Sequence, residues 1–239
     1  MKQHPFKKIL QDKREISSHI KAGKPLSEIK DKYKFVKPIR FISLLLFICL
    51  SVSAQTINVH HRYYDLVFDT VLKQPISSTE WLTKAHLKEN VKRGASFTID
   101  PLIPARLQTN AAVYSHSGFD IGHLSCSADF RFSDTAQQEC MYFSNCSMQQ
   151  PQFNRTLWEH LEVYVRSLAA EYDSILVQTG CIYGSDKYKG YGVPMYYFKT
   201  LKYKGITEYY LGENKKPSTT DYRTMKVSAD MLSKLGVKL

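Results

Sequence analysis

Four side chains in this 239-residue chain have the types and spacing for metal-assisted hydrolysis: His123, Asn154, Glu162 and Arg166. Asn154, Trp158, Glu162 and Arg166 recur every fourth residue. At about 100° per residue they advance only about 40° per step along a helix and share one face. Leu157, Leu161, Tyr164 and Leu168 form a separate apolar stripe. Side chains lean towards a helix N-terminus, so Glu162 can reach back through a water layer to Asn154, about 12 Å away along the axis. The Asn154 amide oxygen is a hard neutral ligand. An oxygen site that keeps several waters suits Mg²⁺, with Mn²⁺ as the alternative. His123 follows Gly122, which permits tight backbone geometry, and is a proton acceptor at neutral pH.

Each residue also has a plainer use. His123 could be a turn or core histidine, Asn154 a helix N-cap, and Glu162 with Arg166 a surface pair at i,i+4 spacing. Trp158 reads as packing in either case. Local elements must therefore bring the group together. Met141–Ser144 reads as a short buried strand, and Gln149-Gln150-Pro151-Gln152 breaks it, since a residue before proline leaves the α region. From Asn154 onward the periodicity is helical.

With Ser117-Gly-Phe-Asp-Ile-Gly-His-Leu124, Ser144-Asn145 and the helix from Asn154 in hand, the sequence resembles the DNA/RNA non-specific endonucleases, which are ββα-metal nucleases. The family signature is Asp-Arg-Gly-His, a strand ending in Asn, then a helix with Asn, Trp and Glu. The matched positions are His123, Asn145, Asn154, Glu162 and Arg166, with 31 residues from His123 to Asn154 and eight more to Glu162. The resemblance covers about Tyr63 to Leu235. It implies an α+β fold, a central antiparallel sheet flanked by helices that carries a ββα-metal (His-Me finger) motif. It also implies hydrolysis of DNA and RNA phosphodiester bonds. His123 would act as general base and Asn154 would hold Mg²⁺. Glu162 would order the metal's water, Arg166 would offset charge, and Asn145 would position His123 or the phosphate. One departure stands out: Ile121 replaces the family arginine. An alternative is therefore a catalytically weakened nuclease fold that only binds nucleic acid or a protein partner.

The net charge of +11 does not by itself point to nucleic acid. Residues 1–40 hold 12 Lys/Arg against 4 Asp/Glu, a net of +8, leaving 21 against 18 and a net of +3 for the rest. Arg40, the apolar run Phe41–Val52 and Val52-Ser53-Ala54 read as a secretory signal with a small-residue cleavage site. The run is short for a membrane span. The division expected is thus a basic extension (1–40), a signal region (41–54) and an endonuclease domain (55–239), exported to the periplasm or the medium. The role of residues 1–40 stays open, and a homodimer is allowed.

Within residues 55–239, His60-His61-Arg62 reads as a solvated N-terminal stretch with a metal cluster as its rival. Tyr64, Leu66 and Phe68 alternate as a strand, and 73–87 resembles the family's early hairpin. Ser174–Thr179 is a buried central strand ended by Gly180. Tyr183–Gly192, rich in Tyr, Lys and Gly, reads as a solvated loop, with backbone contact to nucleic acid as its rival. Val193–Lys199 and Ile206–Leu211 are further strands, and Val227–Leu235 is a terminal helix. Asp120 could pair with a cation or cap the turn before it. Cys126, Cys140, Cys146 and Cys181 permit two disulfides in an exported chain, and Cys126 near His123 could instead be a nucleophile.

Overall fold

Residues 55–94 and 96–239 are described by the structure, a computed structural model. The expectations for residues 1–40 and 41–54 lie outside the described residues.

A seven-stranded sheet, antiparallel throughout, has the order β1-β2-β3-β6-β7-β8-β9. The strands are β1 (Thr56–His60), β2 (Tyr64–Asp69), β3 (Gln74–Thr83), β6 (Ser174–Tyr188), β7 (Tyr191–Tyr203), β8 (Ile206–Glu213) and β9 (Lys226–Val227). Alternation builds β2: Tyr64, Leu66 and Phe68 point into a core with Ile103, Phe130 and Met141. β6 is the middle strand, as its β-branched run implies, but it passes through Gly180 and continues to Tyr188. A Cβ at Gly180 would lie 2.7 Å from the Ile76 carbonyl oxygen, so glycine serves close strand packing there and not strand termination.

The helices are α1 (Ala111–Tyr114), α2 (Asp134–Cys140), α3 (Glu159–Tyr172) and α4 (Ala229–Lys234). α4 begins after the Ser228 cap, slightly later than periodicity suggests. Leu161, Val165, Leu168 and Ala169 of α3 are buried against Leu82, Ile175, Val177 and Leu201 of the sheet. Burial of each such leucine or valine contributes about 1.5–3 kcal/mol.

A two-stranded sheet of β4 (Asp120–His123) and β5 (Cys146–Gln149) precedes the long helix, completing a ββα unit. The expected strand at Met141–Ser144 is displaced. Met141 caps α2, Phe143–Asn145 is a 3-10 turn, and the strand starts at Cys146. The apolar run is buried, but as helix end and turn, which a short run cannot distinguish from a strand. His61 is not solvated. Its Nε2 lies 3.1 Å from Asp100 Oδ2 with both side chains buried, and Ser144 Oγ donates to the same carboxylate at 2.5 Å. Burial would raise the Asp100 pKa, but the bonds from His61, Ser144 and the Leu102 amide hold it below the usual value. Among the described residues, Cys126, Cys140, Cys146 and Cys181 are buried free thiols, and no disulfide joins them.

Candidate active site

Pro151 opens the helix that carries half the site, a position where its missing N–H costs nothing. Phe153–Trp158 is wound as a π-helix and Glu159–Tyr172 as an α-helix. The wider π turn rotates residues before 159 relative to those after it. Trp158, read from the sequence as packing, is fully buried, ringed by Phe153 and Tyr197. Asn154, Glu162 and Arg166 line a cavity of about 620 Å³, together with Asp120, Ile121 and His123 of β4. The alternation of β4 places Ile121 and His123 on one face. Gly122 between them admits Gln149, whose Cβ would lie 2.5 Å from any Cβ added there.

His123 is partly buried. Its ring tilts against Phe97 with centroids 5.1 Å apart, and its Nε2 meets the Met141 sulfur at 3.4 Å. Burial first, and the Arg93 charge second, push its pKa down to about 3. The imidazole is thus neutral at physiological pH. Asn154 Nδ2 donates to Asp120 Oδ2 at 2.9 Å, and Arg155 grips the same carboxylate through Nε at 2.8 Å and Nη2 at 2.5 Å. Asp120 therefore pairs with a cation and orients the Asn154 amide. The Cys126 thiol donates to Glu162 Oε2 at 3.1 Å, and Arg166 Nη1 lies 3.6 Å from that sulfur and 3.2 Å from Asp129 Oδ1. Burial, with the Glu162 and Asp129 charges, pushes the thiol pKa well up, so Cys126 is a hydrogen-bond donor and not a ready nucleophile.

Asn145 is placed apart from the cavity. It is fully buried, with Oδ1 accepting from the Ser125 amide (3.0 Å) and Nδ2 donating to the Ser125 (3.0 Å) and Cys140 (2.9 Å) carbonyls. Its own carbonyl accepts from the Leu124 amide. It clamps the main chain just after His123, and its side chain touches neither the imidazole nor the pocket.

Behind the cavity lie groups that the spacing of motifs did not reveal. Glu80 of β3, Asp129 and Lys199 of β7 are buried beside Glu162 and Arg166. Lys199 Nζ donates to Thr179 Oγ1 at 2.6 Å and sits 5.0 Å from the centroid of the Trp158 ring. Burial raises the pKa of Glu80, Asp129 and Glu162, with Lys199 and Arg166 opposing. Three carboxyls against two cations leave the cluster one proton short of neutrality, so burial favours holding one. The available signal was Glu80 at an inward position of β3, between Ser78 and Leu82. Arg93, Arg131 and Glu159 also line the cavity. Arg93 stands in an irregular segment with no periodicity to mark it.

The profile of the DNA/RNA non-specific endonuclease family matches residues 50–237. The chain belongs to that family. It is 34% identical over 129 residues to Nuclease 1, mitochondrial, of Schizosaccharomyces pombe, covering 53% of this chain and 40% of that protein. It is 32% identical over 153 residues to human Endonuclease G, mitochondrial, covering 58% and 52%. The chain thus spans about half the length of the curated relatives it matches. A crystal structure of the EndoG/EndoGI complex superposes with a TM-score of 0.69 at 25% identity, covering 76% of this chain and 84% of that one. The α+β fold with a ββα unit is therefore that of the family.

A divalent ion fits this donor set. The Asn154 amide is held by its nitrogen, so Oδ1 is the atom that could hold an ion, with the Glu159 and Glu162 carboxylates lining the same cavity. Among the described residues no three His, Cys, Asp or Glu side chains cluster to hold an ion.

Proposed function

We propose that the chain is a sugar-non-specific endonuclease that hydrolyses DNA and RNA phosphodiester bonds. The observation that carries this reading is the convergence of His123, Asn154, Glu162 and Arg166 on one cavity from two separate parts of the ββα unit. Mg²⁺, held by Asn154, would supply Lewis-acid stabilisation of the phosphoryl charge. Neutral His123 takes a proton from the attacking water. With Nε2 against the Met141 sulfur, Nδ1 is the nitrogen left to accept it. An entering phosphodiester brings negative charge that opposes the effect of Arg93 and raises the basicity of the imidazole. Glu162 accepts hydrogen bonds from cavity water and fixes its direction. Arg166 offsets the charge that builds on the phosphate. Arg93 and Arg131, which line the same cavity as Ile121, supply cations where the family arginine is missing, Arg131 being also paired with Glu89 at 2.8 Å. Contacts of this kind read the backbone and not base edges, which suits low sequence preference.

Plasmid degradation by the full chain tests this reading. Digestion should require Mg²⁺, stop with EDTA and fall about 10²- to 10⁴-fold in His123→Ala. A mobility shift without cleavage would instead support a protein that only binds. Export is a further part of the proposal, resting on the basic residue Arg40, the apolar run Phe41–Val52 and the Val52-Ser53-Ala54 site.

A further inference from the structure

The Tyr-Lys-Gly segment 183–192 is an ordered hairpin tip and not a solvated loop. Tyr188 and Tyr191 pair across a two-residue turn in which Lys189 (φ 50°) and Gly190 (φ 85°) both have positive φ. That is the geometry of a tight hairpin connection matching strand twist. Three contacts fix the tip. The Gly192 amide donates to the Leu72 carbonyl at 2.9 Å, Tyr191 OH to the Gln108 carbonyl at 3.2 Å, and Lys189 Nζ to the Ala112 carbonyl at 3.4 Å. The first of these brings the 70–73 turn alongside, with Lys73 Nζ 5.6 Å from the Tyr191 ring centroid. Lys189 Nζ lies 5.1 Å from that of Tyr188.

This tip adjoins the cavity. Ile121, which lines the cavity, and Phe119, Tyr188, Tyr191 and Val193 all pack against one buried cluster of Val113, Tyr114, Phe143 and Met148, and the Phe119 ring, one residue before Asp120, meets Tyr188 edge-on with centroids 6.4 Å apart. Lys187 and Lys189 are exposed, and among the described residues neither they nor Lys73 form an ion pair with a carboxylate. A charged patch that serves only solubility would have no need of a rigid mount beside the site. Ammonium groups held on aromatic rings by a preorganised turn lose little freedom when they meet a polyanion.

We propose that Lys73, Lys187 and Lys189 form an outer phosphate-contact surface, taking the nucleic-acid backbone that runs out of the cavity past Ile121. The inference rests on the nuclease reading and adds a location and a role: affinity and not turnover. Each phosphate neutralised contributes about 0.9 to the slope of log K against log salt. Substituting all three lysines should lower that slope by about 2 to 3.

The experiment is fluorescence anisotropy of a labelled 20-base-pair duplex with the full chain in EDTA, from about 50 to 300 mM salt. Lys73→Gln/Lys187→Gln/Lys189→Gln should bind about 10- to 100-fold more weakly near 0.1 M salt, with the reduced slope. Lys187→Arg/Lys189→Arg should bind like the parent, since charge is kept. Lys202→Gln/Lys204→Gln, at the far end of β7 and in the turn after it, is the control. Lys204 Nζ also sits over a tyrosine, 4.9 Å from the Tyr172 ring centroid, but should leave the slope unchanged. With Mg²⁺ added and the duplex saturating, the maximal cleavage rate should be equal in parent and triple variant, with the loss appearing in KM. Equal duplex affinity and slope in parent and triple variant, or an equal loss in the control, overturns the outer surface while leaving the nuclease reading intact. Failure of the parent itself to bind the duplex or to cleave sinks the nuclease reading instead.

Discussion

Replacing Arg166 separates two tasks that one guanidinium performs. It lines the cavity, and its Nη1 is 3.2 Å from Asp129 Oδ1, a carboxylate whose side chain is only 3% exposed. Arg166→Ala strands that carboxylate in the interior. Breaking a buried pair costs about 3–5 kcal/mol. The Arg166 side chain is 25% exposed and Lys199 also acts on Asp129, so the lower end, about 3 kcal/mol, is expected. Loss of a cation at the developing charge should lower kcat about 10²- to 10³-fold. Asp129→Asn removes the stranded charge without restoring the cation. The double variant should therefore recover most of the stability in urea unfolding, measured in EDTA, yet stay as inactive as Arg166→Ala in Mg²⁺-dependent plasmid cleavage. Stability would be strongly non-additive while activity is not rescued. A double variant as unstable as the single one, or Arg166→Ala within a few-fold of parental activity, refutes the reasoning.

Ile121→Arg should raise cleavage at low salt, the gain fading by about 0.3 M as screening grows, and should soften the loss caused by Arg166→Ala. Equal Arg166→Ala losses in both backgrounds would show that the two positions do not share a task. The Glu80 contribution to stability, measured in EDTA, should fall as pH rises above the unfolded carboxyl value of about 4. A buried Glu80 with a raised pKa binds a proton that the unfolded chain, with its carboxyl value near 4, has already released, and that contribution is lost as pH climbs through the raised value. His123 acts oppositely, but only between about 3 and 6.5, where the unfolded chain binds the extra proton. Glu80→Gln should flatten the decline of stability with rising pH in urea unfolding, and an unchanged slope would remove Glu80 as its source. Mass analysis of the exported protein should find Gln55 at the N-terminus; a cytoplasmic or membrane-bound form that retains Phe41–Val52 would sink export.

Much of the frame was legible in the chain itself because it follows from backbone period. The 3.6-residue repeat sorted Leu161 and Leu168 from Glu162 and Arg166, and the two-residue repeat of Tyr64, Leu66 and Phe68 gave β2. The distances in sequence between His123, Asn154 and Glu162 carried the family resemblance. Periodicity fails where the backbone departs from it. Phe153–Trp158 is wound as a π turn, and the apolar run at Met141–Ser144 is a helix end and turn. It also says which way a side chain faces without saying what it meets. Asn145 turned out to bind main chain, Lys199 faces a buried carboxyl cluster, and the lysines at 187 and 189 stand on an ordered tip beside Ile121. Those outcomes depend on interactions between residues tens of positions apart, such as the charge of Lys199 acting on Glu80 or the ion pair of Asp129 with Arg166. The local sequence sets a charge in the interior; only the tertiary fold decides which distant group neutralises it, because burial and Coulomb interaction act through space and not along the chain.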